Sequence, residues 1–234
     1  MAADQTVPSL AVPSPDERAA RLVIAVLGGT GDQGRGLARR LAMAGHQVFI
    51  GSRDAGRAAA AAATVGSAPQ VTGVSNEDAA RAADVVIAAM PFDGHATLLG
   101  QLASALAGKI LIDCVNPMAF DKQGAYPIPV PEGSAAQQAA AILPGSRVVG
   151  AFHHVSATLL LDPQVRELDL DILVLGDDRE ATDLVQALAA RIPGMRGVYA
   201  GRLRNCGQVE ALTANLVSVN RRYKAHAGLR VTDI

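Results

Sequence analysis

The chain has no tryptophan, and aromatic residues fill only 3% of its 234 positions. So few flat side chains leave no base-stacking platform for single-stranded nucleic acid. Formal net charge is −1, so no global basic field recruits nucleic acid or an anionic membrane. There are two cysteines, Cys114 and Cys206, and no C-x-x-C. That removes zinc and thioredoxin-type readings. Two unpatterned cysteines fit small core residues in a reducing cytoplasm. No apolar run reaches about 18 residues, so no membrane span is expected. The first twenty residues lack the basic start and apolar run of a signal peptide. They hold three prolines, and residues 1–20 are expected to form a flexible tail. Also absent are a Tyr-x-x-x-Lys pair and a G-x-S-x-G elbow, the marks of two common ways to move a proton or activate a serine.

What is present is a compact globular composition, half hydrophobic and 18% charged. Continuous apolar runs at RLVIAVLG (21–28), DVVIAAM (84–90) and KILIDC (109–114) read as strands buried on both faces. Between them lie helical patterns and shorter strands at HQVFIG and QVTGV (70–74). Five strand signals alternating with four helix signals predict a Rossmann-type α/β fold with a doubly wound parallel sheet. Residues 115–133 carry four more prolines and read as a long loop. RVVGAF (147–152), LDILVLG (170–176) and GVYA (197–200) read as further strands. A long helix over 203–226 has Leu212, Leu216, Val219 and Tyr223 on one face. The expected organisation is a tail (1–20), a Rossmann domain (21–150) and a small C-terminal α/β extension (151–234) ending in that helix.

GGTGDQG (28–34) supplies G-x-G-x-x-G between a buried strand and a helix. Gly29 suits a tight turn, Gly31 a close approach of pyrophosphate, and Gly34 close packing of helix on strand. The helix start offers free N–H groups to the anion. About 20 residues on, where a ribose-binding acid is usual, FIGSRDAGR (49–57) has Ser52 and Arg53, with Arg57 a turn later. A 2′-phosphate would repel a carboxylate there and accept from a hydroxyl and two guanidinium groups. Asp54 reads as a helix cap rather than a displaced ribose acid. The cofactor indicated is NADP(H).

The histidines are the remaining candidates for chemistry. His46 is expected to cap the first helix or meet solvent, and His226 to lie at the surface. His95, His153 and His154 follow strand ends, where ligands bind in open α/β sheets. Adjacent side chains diverge and no third ligand is evident, so His153–His154 is a poor metal site. Hydride transfer between two cofactors needs no strong acid or base, only two flat rings held in a dry slot. Ala88, Ala89, Met90, Pro91, Val155 and Ala157 suit such a slot.

IAVLGGTGDQGRGLARRLAMAGHQVFIGSRDAGRA, NEDAARAADVVIAAMPFDGH, VVGAFHHVSA and LRNCGQVEALTANL together resemble the NADPH-dependent coenzyme F420 reductases. The resemblance spans roughly residues 22–225. It implies hydride exchange between NADPH and a 5-deazaflavin, coenzyme F420, in a cytoplasmic homodimer whose partners are these two small molecules. It places Gly29, Thr30, Gly31, Asp32, Gln33 and Gly34 around the pyrophosphate, and Ser52, Arg53 and Arg57 on the 2′-phosphate. Met90 and Pro91 would line the nicotinamide side. His153, His154, Val155 and Ser156 would form the floor near the deazaflavin, in the segment completed by residues 151–234. Archaeal members carry A-L-H-T-I-P-A where this chain has A-F-H-H-V-S-A (151–157). Two other readings stay open: an NADP-dependent imine or keto-acid reductase using His153 or His154 as proton donor, and a non-catalytic NADP-binding regulator whose C-terminal helix meets a partner.

Overall fold

The computed structural model describes residues 13–65 and 70–234, so residues 1–12 of the expected tail lie outside it. The first half runs α1 (Pro15–Ala19), β1 (Val23–Leu27), α2 (Asp32–Met43), β2 (Gln47–Ser52), α3 (Ala55–Thr64), β3 (Val71–Ser75), α4 (Asn76–Ala82), β4 (Val85–Ala88), α5 (His95–Gln101), α6 (Ala103–Leu106) and β5 (Ile110–Asp113). The second half runs β6 (Met118–Phe120), β7 (Ala125–Pro127), α7 (Ala135–Ile142), β8 (Arg147–Gly150), α8 (Ala157–Leu161), β9 (Leu170–Gly176), α9 (Arg179–Ala190), β10 (Met195–Gly201) and α10 (Cys206–Tyr223). A 3-10 turn at Leu203–Asn205 leads into α10.

Eight strands form one sheet in the order β10-β9-β8-β5-β4-β1-β2-β3. From β8 to β3 every neighbouring pair is parallel. β9 runs antiparallel to β8, and β10 is parallel to β9. The fold is therefore the expected Rossmann type, with a mostly parallel sheet. The strand order turns back between β1 and β4, which opens a crevice beyond their carboxyl ends. Side chains along β1 alternate between the two faces. Ile24 and Val26 join one buried cluster, with Leu37 of α2. Ala25 and Leu27 join the other, with Leu106 of α6.

α2 is held tightly to α8. A Cβ added at Gly36 would lie 2.6 Å from Leu160 Cβ, so only glycine lets the two helices approach this closely. One turn later, buried Arg40 donates to the carbonyls of Leu159, Leu160, Asp162 and Val165. The helix that begins at the nucleotide turn thus grips the end of the helix that follows residues 151–156.

Four elements differ from the sequence expectation. Residues 15–19, expected in the tail, form α1. Ser14 and Glu17 make a capping box there, Ala19 is fully buried and Arg18 pairs with Glu180. The proline density of the segment masked a proline well suited to the first helical turn. The loop 115–133 contains the antiparallel hairpin β6–β7. The pattern HATLLGQLASAL breaks at Leu102 into α5 and α6. His46 neither caps nor meets solvent. It is buried, with Nδ1 at 3.1 Å from the Leu22 carbonyl.

Candidate functional site

After β1 the chain turns left-handed at Gly28 (φ 62°), whose N–H donates to Asn76 Oδ1 at 3.1 Å. The Gly29 N–H donates to the Gly51 carbonyl at 3.1 Å. The glycine turn is thereby stitched to the end of β2, and Ser52 follows at once. A Cβ at Gly34 would sit 2.5 Å from Gly29 Cα, which is the close packing the motif predicts. A Cβ at Gly31 would meet nothing within 4 Å among the described residues. That open space lies at the N-cap of the twelve-residue α2, whose first N–H groups have no partner within the helix. Thr30, Gly31, Asp32 and Gln33 therefore border a cradle suited to an anion. Asp32 pairs with Arg35 at 2.6 Å, which offsets its charge there.

At the end of β2, Ser52 is nearly buried and its Oγ accepts from the Asp54 N–H at 3.3 Å. Asp54 Oδ1 accepts from the Arg57 N–H at 3.0 Å and caps α3. The acid is thus used locally, as the sequence indicated. Arg53 and Arg57 are exposed, and among the described residues neither guanidinium is held in an ion pair. FIGSRDAGR thus ends β2 with a nearly buried hydroxyl, Ser52, followed by two exposed guanidinium groups.

Across the switch point lies a slot of about 230 Å³. It is lined by Gln33, Ala89, Met90, Cys114, Val115, Asn116, His153, Val155 and Thr213. These residues come from the ends of β4, β5 and β8, the glycine turn and α10. A larger trough of about 590 Å³ shares Asn116 with the slot and runs along Pro91, Phe92, Met118, Phe120 and Ile128. Gln33 Nε2 donates to the Phe152 carbonyl at 3.2 Å, tying the nucleotide turn to the segment before His153. Phe152 is fully buried at φ 62°, a conformation that non-glycine residues rarely adopt. The bend turns the chain so that consecutive histidines part.

His153 faces the slot. Its ring nitrogens have no hydrogen-bond partner among the described residues, and burial pulls its pKa down to about 4. The imidazole is neutral at neutral pH. His154 turns to β9, where Nε2 accepts from the Leu173 N–H at 3.3 Å. Burial, then the neighbouring His153, brings its pKa to about 4 as well. No cluster of three metal-ligating side chains occurs among the described residues.

A match to the family described as NADP oxidoreductase, coenzyme F420-dependent, covers residues 23–117. The F420-dependent NADP reductase of Methanothermobacter marburgensis is 41% identical over 221 residues, 90% of this chain and 98% of that protein. The chain belongs to the F420-dependent NADP reductase family. The member from Methanocaldococcus jannaschii is 38% identical over 90% of this chain and 98% of its own length. A crystal structure from Arthrobacter sp. FB24, described as an F420-dependent NADP reductase, superposes with TM-score 0.77 at 29% identity. The match covers 91% of this chain and all of that one.

In this F420-dependent reductase three of the expected contact residues have protein partners of their own. His95 does not line the crevice. It is fully buried, with Nε2 at 2.8 Å from Asp113 Oδ2 and Nδ1 at 3.0 Å from Gln138 Oε1. Burial opposes its charge, but the bond and charge of Asp113 outweigh that and raise its pKa. A buried acid at the end of β5 needs such a partner. His154 instead serves β9, accepting from the Leu173 backbone N–H. Ser156 caps α8 and lies 3.3 Å from His226 Nδ1 at the surface. Met90, Val155 and His153 line the slot, while Pro91 lines the trough.

Sequence reasoning missed Asn116, Thr213 and Cys114, all in the slot. Asn116 and Cys114 sit at the end of an identified strand, so the carboxyl-end rule could have found them. Thr213 is one position in a long helix with no local signal. Behind the slot, Glu210 of α10 is buried and accepts from the Ala135 and Ala136 N–H groups at 2.9 and 3.2 Å. Burial pushes its pKa up to about 7. That contact docks α10 on the start of α7.

Proposed function

We propose that this protein transfers a hydride reversibly between NADPH and coenzyme F420. The observation that carries the reading is the slot itself. It lies between the nucleotide turn and α10, its lining is mostly apolar, and no carboxylate borders it. With both ligands held there, a hydride would pass from NADPH to the oxidised deazaflavin, with a proton from solvent completing its reduction, and in reverse NADP+ would accept the hydride from the reduced deazaflavin. The residues of this chain hold and orient. Thr30, Gly31, Asp32 and Gln33 border the pyrophosphate cradle, and Ser52, Arg53 and Arg57 take the 2′-phosphate. Met90, Val155 and neutral His153 shape the slot and keep water out. Residues 21–150 form the NADP half and residues 151–234 complete the deazaflavin half.

An imine or keto-acid reductase would need a proton donor in the slot. Neutral His153, with its pKa near 4, is a poor acid at neutral pH. Both cysteines are free and buried, and no described helix is long and apolar enough to cross a membrane. These features suit action in the cytoplasm. Phe120 and Tyr126 of the hairpin and Val219 and Tyr223 of α10 are exposed, and this apolar face is our choice for a homodimer contact. Light scattering on the purified protein reads that directly.

The deciding assay mixes the protein with NADPH and oxidised deazaflavin and follows the deazaflavin absorbance. Bleaching that depends on both supports the reading. No change while NADPH still binds refutes it.

A further inference from the structure

Asn116 stands where the slot and the trough meet, and lines both. Its Nδ2 donates to the His153 carbonyl at 2.8 Å. A carbonyl can only accept, so this bond fixes which way round the carboxamide lies. The Oδ1 is then left buried, with no partner among the described residues. A buried amide oxygen without a donor is costly, and native proteins rarely retain one without use. Gln33, the other amide in the slot, already has its nitrogen on the Phe152 carbonyl.

We propose that Asn116 Oδ1 accepts a hydrogen bond from an amide or imide N–H of the planar ring that enters the slot. The inference rests on the hydride-transfer reading, which supplies two rings of that chemistry. The nicotinamide carries a carboxamide N–H, and the pyrimidinedione edge of a deazaflavin carries an imide N–H. The acceptor makes Asn116 a specificity residue. A site built to pair with an N–H discriminates against a ring that lacks it.

The structure also separates this role from a merely structural one. The His153 carbonyl receives a second bond, from Thr213 Oγ1 at 3.3 Å. Loss of the Asn116 amide therefore leaves that carbonyl satisfied, and the segment 151–155 keeps its place.

Calorimetry on the full chain tests the proposal through binding, independently of turnover. The ligands are NADP+ and its 3-acetylpyridine analogue, in which a methyl replaces the amide nitrogen. The second pair is the oxidised deazaflavin and its N3-methyl form. Wild type is expected to prefer the N–H form of one pair by roughly 3- to 10-fold, the size of one hydrogen bond. In Asn116→Ala that ratio falls to about one, while the other pair is unaffected. The pair that responds identifies the ring. If both ratios are the same in variant and wild type, the proposal is overturned, whatever happens to overall affinity. A thermal melt checks folding, and Asn116→Ser is read in the same way should Asn116→Ala not fold. Wild-type turnover is scored separately. Loss of the ratio without turnover would overturn the hydride reading and keep the Asn116 contact. Turnover with unchanged ratios would do the reverse.

Discussion

Arg40→Met removes a guanidinium and keeps the apolar stem. Wild-type Arg40 is 2% exposed and reaches four carbonyls at 2.9, 2.7, 2.6 and 3.2 Å. Bonds from a charged donor contribute about 1.5–3 kcal/mol each before the cost of burying the charge. That cost is several kcal/mol for one ion in a protein interior. The stranded carbonyls add back a penalty of about 1–3 kcal/mol each, softened where water enters. The bonds lost and the carbonyls stranded count the same loss twice over and water offsets part of it, so the net loss is taken as about 3–5 kcal/mol, the size typical of removing one partner of a buried charge interaction. Unfolding entropy near 2.1 cal/mol/K per residue gives about 0.5 kcal/mol/K for a chain of this length, so Tm should fall by about 6–10 °C. The carbonyls belong to the end of α8 and the turn after it, so the KM for the deazaflavin should rise while NADPH affinity changes little. Arg40→Lys reaches fewer carbonyls and should recover less than half of the loss. A Tm drop under about 2 °C in the Met variant, with wild-type KM, would refute the claim that Arg40 holds the two halves together.

Arg53→Ala should weaken NADPH at least ten-fold more than NADH, by loss of a charge-assisted bond to the 2′-phosphate. Equal losses for both would place Arg53 away from the phosphate. His153→Ala should raise the deazaflavin KM with little change in NADPH Kd, whereas His154→Ala should lower Tm and leave both constants near wild type. Stability should fall as pH drops from about 6.5 to 4.5. The unfolded chain protonates His153 and His154 near 6.5, while the folded chain resists until about 4. Glu210 opposes them, being protonated in the fold below about 7 but not until about 4.5 when unfolded. Near pH 5.5 these three groups together take up about one proton on unfolding, or about 1.4 kcal/mol per pH unit, and His46, also lowered by burial, acts in the same direction. Urea unfolding at pH 5 and 6 measures the slope, and a flat profile would contradict the two neutral histidines.

The sheet was legible because strands buried on both faces write themselves as unbroken apolar runs, and β4 and β5 are buried at every position. The NADP side was legible because its parts are local: a glycine turn, a strand, then Ser52, Arg53, a capping Asp54 and Arg57 within six residues. The second half of the site was read less well because its residues meet only through the fold. His95 stood in the right neighbourhood of the sequence, yet Asp113, eighteen residues on, draws it behind the wall. Thr213 reaches the slot only because Glu210 and its neighbours seat α10 on α7. The direction of β9 was not legible either, since an apolar strand reads alike in both senses.

The slot and the trough share Asn116 and otherwise have separate linings. The glycine turn borders the slot through Gln33, while the trough runs past Phe92 and the β6–β7 hairpin. With one ligand in each, neither would have to leave for the other to arrive. Under the hydride-transfer reading the two ligands exchange the hydride directly. Both ligands have to be resident together, in whichever order they came. Initial-rate plots should therefore intersect rather than run parallel, and scarcity of one ligand should limit turnover without trapping the other.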